Sequence, residues 1–466
     1  VGICEIGGTN ILCYGSNDEY QTTVDEINSL TNNSIDIYNI SDNVDFLANG
    51  SDYESISNLH REIYNYDDPC LIIFTSGSSG KPKAVLSSAY NNIEPVSYIY
   101  KNYNCSKDDK VCAFLPFFHV FGLIAVLLWF SFFNVTFVLP MGLSNKAIQQ
   151  ACLLAKPTHI FAVPLFFEEI EKEIKKEVSS SPKLEKKFNK GIKLSSSLQS
   201  FNSSFGLFFS RKILFSKYLD SILGKSIRFC VSGGSFIKED TLRIINSIGY
   251  PLVNGYGSTE IGISSLNPSK RFKDRLSLSL GEPFKSISYS LNEKDELIVR
   301  GKSLSYKVIE KDKEIILNNE VNSKDVAYLK DSKYFLKGRS DEIVTLSNGE
   351  NYSLPKLEAS LNFLHALDIV SFFKDNHITL LVSYDPFLPK TLIKEDIDLN
   401  KDVLTKEHVG KIYITNYKFP KANNLKLKRD SIVKYFVSHP TEFVDASKFN
   451  NGNLNICFIT KTYGNN

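Results

Sequence analysis

At 466 residues, the chain is long enough for two or three domains with cores of their own. Its 42% hydrophobic and 23% charged content is that of an ordinary globular protein, and a formal charge of +2 gives no reason to expect nucleic acid or another polyanion as a partner. Eight cysteines stand scattered with no CxxC pair, which argues against a zinc site of the usual spacing and against a disulfide framework, and suits a reducing, cytoplasmic compartment.

The first 70 or so residues mix short apolar runs with Asn, Asp and Ser clusters, and no signal-peptide pattern opens them. The apolar run Leu71–Phe74 reads as a buried strand that stops abruptly at "TSGSSGKPK". A Walker loop needs G-x-x-x-x-G-K-[ST], but Thr75 stands where the first glycine belongs and Pro82 follows the lysine, so that reading fails. The physical logic of anion binding survives. Gly77 and Gly80 permit backbone turns that aim N–H groups at a phosphate, Thr75, Ser76, Ser78 and Ser79 add hydroxyls, and Lys83 adds charge.

The apolar stretch Val120–Pro140 is long enough to suggest a membrane span, but Asn134 interrupts it and its second half is β-branched and aromatic. It reads as a buried helix near Gly122–Ser131 followed by a strand near Val135–Leu139, with no transmembrane segment. From about residue 70 to about residue 265, short buried strands alternate with helical patterns such as Thr241–Ser247. The strands are "KVCAFLPFF", "NVTFVLP", "HIFAVP", "SIRFCVSGG" and "PLVNGYG", each ending in or near Pro or Gly. Such alternation predicts parallel βαβ units, with ligands at the C-terminal strand ends. The lysine-rich run between them has acids mixed in and reads as a solvated helix face. Beyond about residue 275 an alternating, turn-rich texture predicts antiparallel strands, and from "KGRSDEIV" onward the pattern is that of a small α+β unit.

The loop is not alone. "FLPFFHVFG", "VSGGSF", "NGYGSTE", "NSKDVAYL", "GRSDEIV", "LSNGENYSLPKLE" and "FPKANNLKLKR" follow it in that order. Together with "FTSGSSGKPKAV" this series resembles the motif set of the adenylate-forming (AMP-binding) enzymes, with wording nearest the fatty acyl-CoA synthetases. The likeness runs from about residue 71 to about residue 430. Ser79, Ala84 and Ser235 are conservative departures from the family pattern, while Leu425 replaces a usual glycine and only the aspartate of a Thr-Gly-Asp is kept at Asp325.

The resemblance implies an α/β fold: a large N-terminal domain of doubly wound sheets over residues 1–338, with an antiparallel β subdomain from about 270, and a small mobile α+β domain over 339–466. The segment before the signature loop is shorter than is usual in the family, so part of the lobe that walls the acyl pocket is expected to be reduced. No account offers itself for the tail after about residue 430.

The same resemblance implies the site. Thr75, Ser76, Gly77, Ser78, Ser79, Gly80 and Lys83 would cradle the β- and γ-phosphates of ATP. Thr259 would bond the α-phosphate and Glu260 would hold Mg2+. Tyr256, between Gly255 and Gly257, would stack on adenine. Asp325 would take the ribose hydroxyls, with Arg339 in support. Lys426 would bridge the carboxylate and the α-phosphate, His119, Gly233 and Gly234 would shape the acyl pocket, and Asp341 would be the hinge. The implied reaction is activation of a carboxylic acid, a fatty acid by the wording of the motifs, to an acyl-adenylate, then transfer to CoA. An aryl acid, or the phosphopantetheine arm of an acyl carrier protein as acceptor, stays open. So does a non-catalytic relative that binds nucleotide or acyl chain without turnover.

Overall fold

The computed structural model describes residues 10–13, 25, 36–39, 66–76, 82–103, 105–267, 270–310, 313–340, 342–345, 351–374, 377–407, 409–421 and 427–447. These fall into two compact units: Val1–Asn92 with Ser305–Asn318, and Ile93–Leu304 with Asn319–Asn466.

The first unit contains a parallel pair, Asn10–Cys13 with Asp36–Asn39, and a four-stranded antiparallel sheet in the order Lys313–Ile316, Lys307–Glu310, Pro82–Ser88, Pro69–Ser76. The run Leu71–Phe74 is a strand, as its composition predicts, but it is half-buried rather than fully buried: Ile73 faces the core while Ile72 is exposed. It turns back on itself through a hairpin, so the Gly/Ser loop joins strand to strand. A Walker loop joins strand to helix, and the topology therefore excludes it a second time.

The second unit is built on a seven-stranded sheet. Its order is Thr136–Val138, Lys110–Cys112, His159–Ala162, Phe229–Ser232, Leu252–Ser258, Gly262–Leu266, Glu282–Pro283, the first five parallel and the last two antiparallel. Successive residues along each parallel strand point to opposite faces, and both faces are covered. Cys112, Ile160, Cys230 and Leu252 meet helices Pro164–Ser179, Pro182–Phe201 and Glu239–Ile248, while Val111, Phe161, Val231 and Val253 pack with Trp129, Phe130 and Ile99. Burial on two sides is why these strands read as continuous apolar runs rather than alternating ones. It is also what makes the sheet doubly wound.

The stretch Val120–Pro140 folds inside this unit as a π-helix over Phe121–Leu128, one further turn at Trp129–Ser131 and the strand Thr136–Val138. No helix among the described residues is long and apolar enough to cross a membrane. The strand expected over "KVCAFLPFF" is shorter than predicted, ending at Cys112, because the chain leaves the sheet there for the turn that carries His119.

The alternating run after residue 275 does not form one sheet. Ile287–Leu291 and Glu296–Gly301 join Glu320–Lys330 and Lys333–Arg339 in a four-stranded antiparallel sheet, whereas Lys307–Glu310 pairs with Pro82–Ser88 more than 200 residues earlier. A local pattern carries no information about so distant a partner. Toward the C-terminus, strands Asp368–Lys374, His377–Ser383, Val409–Thr415 and Val444–Asp445 form one sheet, with helices Leu354–Ser360, Lys390–Lys406 and Arg429–Ser438 between and around them in sequence, the α+β mix that the pattern predicts for this stretch.

Candidate active site

Crossing from Lys110–Cys112 to Thr136–Val138 on one side and to His159–Ala162 on the other reverses the winding of the sheet. A crevice opens at the carboxyl ends of strands at such a switch point. The segments that leave those ends carry Ala113–His119 and Val163, and the neighbouring strand Phe229–Ser232 ends in Gly233 and Gly234.

Gly233 is there for space and Gly234 for its backbone conformation. A Cβ on Gly233 would lie 3.2 Å from the Phe121 ring and 3.5 Å from the Gly255 carbonyl, and Gly234 has φ +86°, where a side chain is strained. Gly233 and Gly255, from two separate motifs, therefore lie close to one another, with little room for a side chain between them. Phe121 was not a sequence-predicted site residue. Its position two residues after His119, on the same turn of chain, was the available signal. The His119 Nε2 is buried with no hydrogen-bond partner among the described residues, its ring lies 4.6 Å from that of Phe118, and burial holds its pKa below the usual histidine value. The imidazole is therefore neutral at neutral pH.

"NGYGSTE" is a strand and a tight turn. Leu252–Ser258 and Gly262–Leu266 form an antiparallel hairpin, with Thr259 and Glu260 in its turn. A Cβ on Gly257 would meet the Gly262 carbonyl oxygen at 2.2 Å, so only glycine lets the two strands close there. The Ser258 hydroxyl donates to Glu260 Oε2 at 3.0 Å and steadies one carboxylate oxygen.

Tyr256 is buried, and its hydroxyl donates to Asp325 Oδ2 at 2.5 Å. Burial first, and then the Asp325 charge, push the phenol well above its ordinary pKa, so it stays a donor. The Tyr256 carbonyl accepts from Ser264 Oγ (3.1 Å), which also pairs with Tyr289 (2.8 Å), and the Tyr289 ring meets that of Tyr256 edge-on at 6.2 Å. Asp325 faces Arg339 directly across the antiparallel pair Glu320–Lys330 and Lys333–Arg339, and Ser323 Oγ accepts from the Asp325 amide at 3.0 Å. Three predicted residues from three motifs are thus assembled. Ser264 and Tyr289, which hold Tyr256, carry no motif of their own, while Ser323 lies two residues before Asp325 in its motif.

In the first unit, Thr75 and Lys83 are cross-strand partners at the mouth of the hairpin, and the Thr75 hydroxyl is buried with no partner among the described residues. Ser76 pairs in register with Pro82. Gly77, Ser78, Ser79 and Gly80 lie outside the described residues, as do Asp341 and Lys426. The residues flanking the lysine motif are placed: Lys421 bridges to Leu427, and the Lys428 amide donates to the Pro420 carbonyl at 3.0 Å. Arg429 makes a two-pronged ion pair with Glu358 at 2.5 and 3.0 Å and also donates to the Ser371 carbonyl.

The model of the AMP-binding enzyme family matches residues 11–303 of the chain. Over 240 residues the sequence is 29% identical to long-chain-fatty-acid–CoA ligase 2 of Schizosaccharomyces pombe, covering 50% of this chain and 34% of that protein. Over 352 residues it is 27% identical to long chain acyl-CoA synthetase 8 of Arabidopsis thaliana, covering 66% and 47%. The chain thus spans a third to a half of the length of these relatives. In fold, it is similar to the o-succinylbenzoate coenzyme A synthetase of Bacillus subtilis solved with ATP and magnesium, with a TM-score of 0.63 at 17% identity, covering 93% of this chain and 80% of that one.

Proposed function

The chain belongs to the AMP-binding enzyme family, and on that premise we propose that it uses ATP to join a carboxylic acid to a thiol. The acid's carboxylate attacks the α-phosphorus of ATP, an acyl-adenylate forms and pyrophosphate leaves. A thiol sulfur then attacks the acyl carbon, and AMP leaves with the electrons of the broken C–O bond.

The observation that carries this reading is the joining of Tyr256, Asp325 and Arg339. An aromatic ring, a carboxylate and a guanidinium from separate motifs suit an adenine, a ribose diol and its phosphate. In the proposed step Tyr256 lies against the base, its hydroxyl orienting Asp325, which accepts from the ribose hydroxyls. Thr259 donates to the α-phosphate. Thr75 and Lys83, with the loop between them, take the β- and γ-phosphates; a buried hydroxyl lacking a described partner supports that role for Thr75. Lys426 bridges the two anions that must meet, since a long ammonium is suited to that task.

The Glu260 carboxylate, steadied by Ser258 in a tight turn, is a hard oxygen donor of the kind magnesium prefers. When bound there, the ion would offset charge on the phosphate oxygens.

The finer assignment is a fatty acid, with CoA or a carrier-protein phosphopantetheine as acceptor, in the cytoplasm. Two long-chain acyl-CoA ligases among the relatives, and the Phe121 ring packed beside Gly233 at the proposed acyl pocket of His119, Gly233 and Gly234, support the acid. The small domain over 339–466 rotates about Asp341 between the two half-reactions.

The test is carboxylate-dependent ATP–pyrophosphate exchange over a panel of fatty and aryl acids, with CoA and a holo carrier protein then offered as acceptors. Exchange with fatty acids is expected. No exchange with any acid would overturn the reading in favour of a binding protein without turnover.

A further inference from the structure

At the opposite, N-terminal edge of the parallel strands, three side chains of metal-ligating type converge. Asp109 directly precedes the strand Lys110–Cys112, Cys105 lies in the turn before it, and His159 opens the partner strand His159–Ala162. One ligand atom from each lies within 4.8 Å of the other two. His159 and Asp109 are buried and Cys105 is half-buried.

The Cys105 Sγ is 3.5 Å from His159 Nε2. Two ligands of a tetrahedral zinc ion, sulfur at about 2.3 Å and nitrogen at about 2.0–2.1 Å from the metal, stand about 3.5 Å apart. The Thr158 hydroxyl lies 3.0 Å from the Lys110 carbonyl and 2.8 Å from His159 Nδ1. The tautomer that binds a metal is the one in which Thr158 donates to the carbonyl and accepts from Nδ1–H, which leaves the Nε2 lone pair facing the sulfur. A partner oxygen on the far ring nitrogen is how metal-ligating histidines are held in place. The Phe130 and Phe229 rings meet the imidazole edge-on, at 5.2 and 6.2 Å, and fix its plane.

Asp109 accepts from the Ser106 amide (3.0 Å) and lies beside Ser106 Oγ (3.5 Å), and its charge is met by the Arg228 guanidinium, which is 55% exposed. That cation can swing into solvent when another takes its place.

We propose that Cys105, Asp109 and His159 bind a borderline-soft divalent metal ion, zinc(II) by the donor set, with water completing the tetrahedron. Binding converts the thiol to thiolate, one proton passes to solvent, and Arg228 is displaced from the carboxylate. Because the thiol must lose its proton to become a ligand, affinity climbs with pH.

The experiment uses the full chain and cobalt(II) as the probe. One equivalent should give a near-ultraviolet sulfur-to-cobalt charge-transfer band, which zinc(II) then bleaches. Cys105→Ser should abolish the band, and His159→Gln should weaken binding at least about tenfold. Arg228→Gln should bind more tightly than wild type, because the competing cation is gone. No band, or a band unchanged in Cys105→Ser, overturns the proposal and leaves the cluster as a thiol–imidazole hydrogen bond. Thermal unfolding without metal checks that the variants fold. If His159→Gln does not, the near-isosteric Cys105→Ser and the exposed Arg228→Gln still decide. A carboxylate-bound ion at Glu260 gives no sulfur band, so the outcome is independent of whether the chain adenylates an acid.

Discussion

Tyr256 shows how a single residue serves the candidate site. Its hydroxyl is buried against the Asp325 carboxylate at 2.5 Å, so Tyr256→Phe keeps the ring and removes one donor to a charged acceptor. Such a bond contributes roughly 1.5–3 kcal/mol. We expect ATP to bind about tenfold or more weakly in the variant, with a smaller effect on the rate at saturating ATP, as read from titration and exchange kinetics. An unchanged ATP affinity would detach Tyr256 from the nucleotide. At this scale the sequence was most legible where chemistry and backbone demand coincide. Gly257 could be picked out from its motif because nothing larger fits beside the Gly262 carbonyl. Ser264 and Tyr289, which hold Tyr256 from behind, could not, since a serine and a tyrosine on an ordinary strand announce no partner.

Among the elements, the helix Arg429–Ser438 is tied down at its first residue by the Arg429–Glu358 pair, both side chains about four-fifths buried. Arg429→Ala would leave the Glu358 carboxylate and the Ser371 carbonyl without that donor. The expected loss is about 2–4 kcal/mol, below the cost of breaking a fully buried pair, seen as a lower urea midpoint with unchanged slope. Because the lysine motif runs into this helix, pyrophosphate exchange should fall as well. An unaltered midpoint would make the pair an ornament of the surface. The strands and helices themselves were largely visible in hydrophobic periodicity, and the Glu239–Ile248 helix extends only slightly beyond its predicted core. What periodicity missed was pairing: the hairpin at the Gly/Ser loop, and the departure of Lys307–Glu310 to join it.

For the whole molecule, the proposed cycle separates two residues by role. Lys426→Ala should abolish pyrophosphate exchange while ATP binding stays nearly intact, and full exchange in that variant would sink the lysine assignment. Asp341→Pro fixes φ near −65° at the proposed hinge. It should spare adenylation and block thioester formation, and equal loss of both half-reactions would refute the hinge.

The chain's own order of residues determined the family and the parallel αβ unit with both faces buried, and it nominated the side chains proposed for the reaction, because each of those rests on local patterns: periodicity, a tight turn, a motif at fixed spacing. Only the tertiary structure decided which of them meet. Tyr256 finds Asp325, Gly233 finds Gly255 and Phe121, and Cys105 finds His159 across a distance in sequence that no local pattern spans. The physical reason is that hydrogen bonds and packing act over a few ångströms of space, whereas a sequence records only neighbours along the chain.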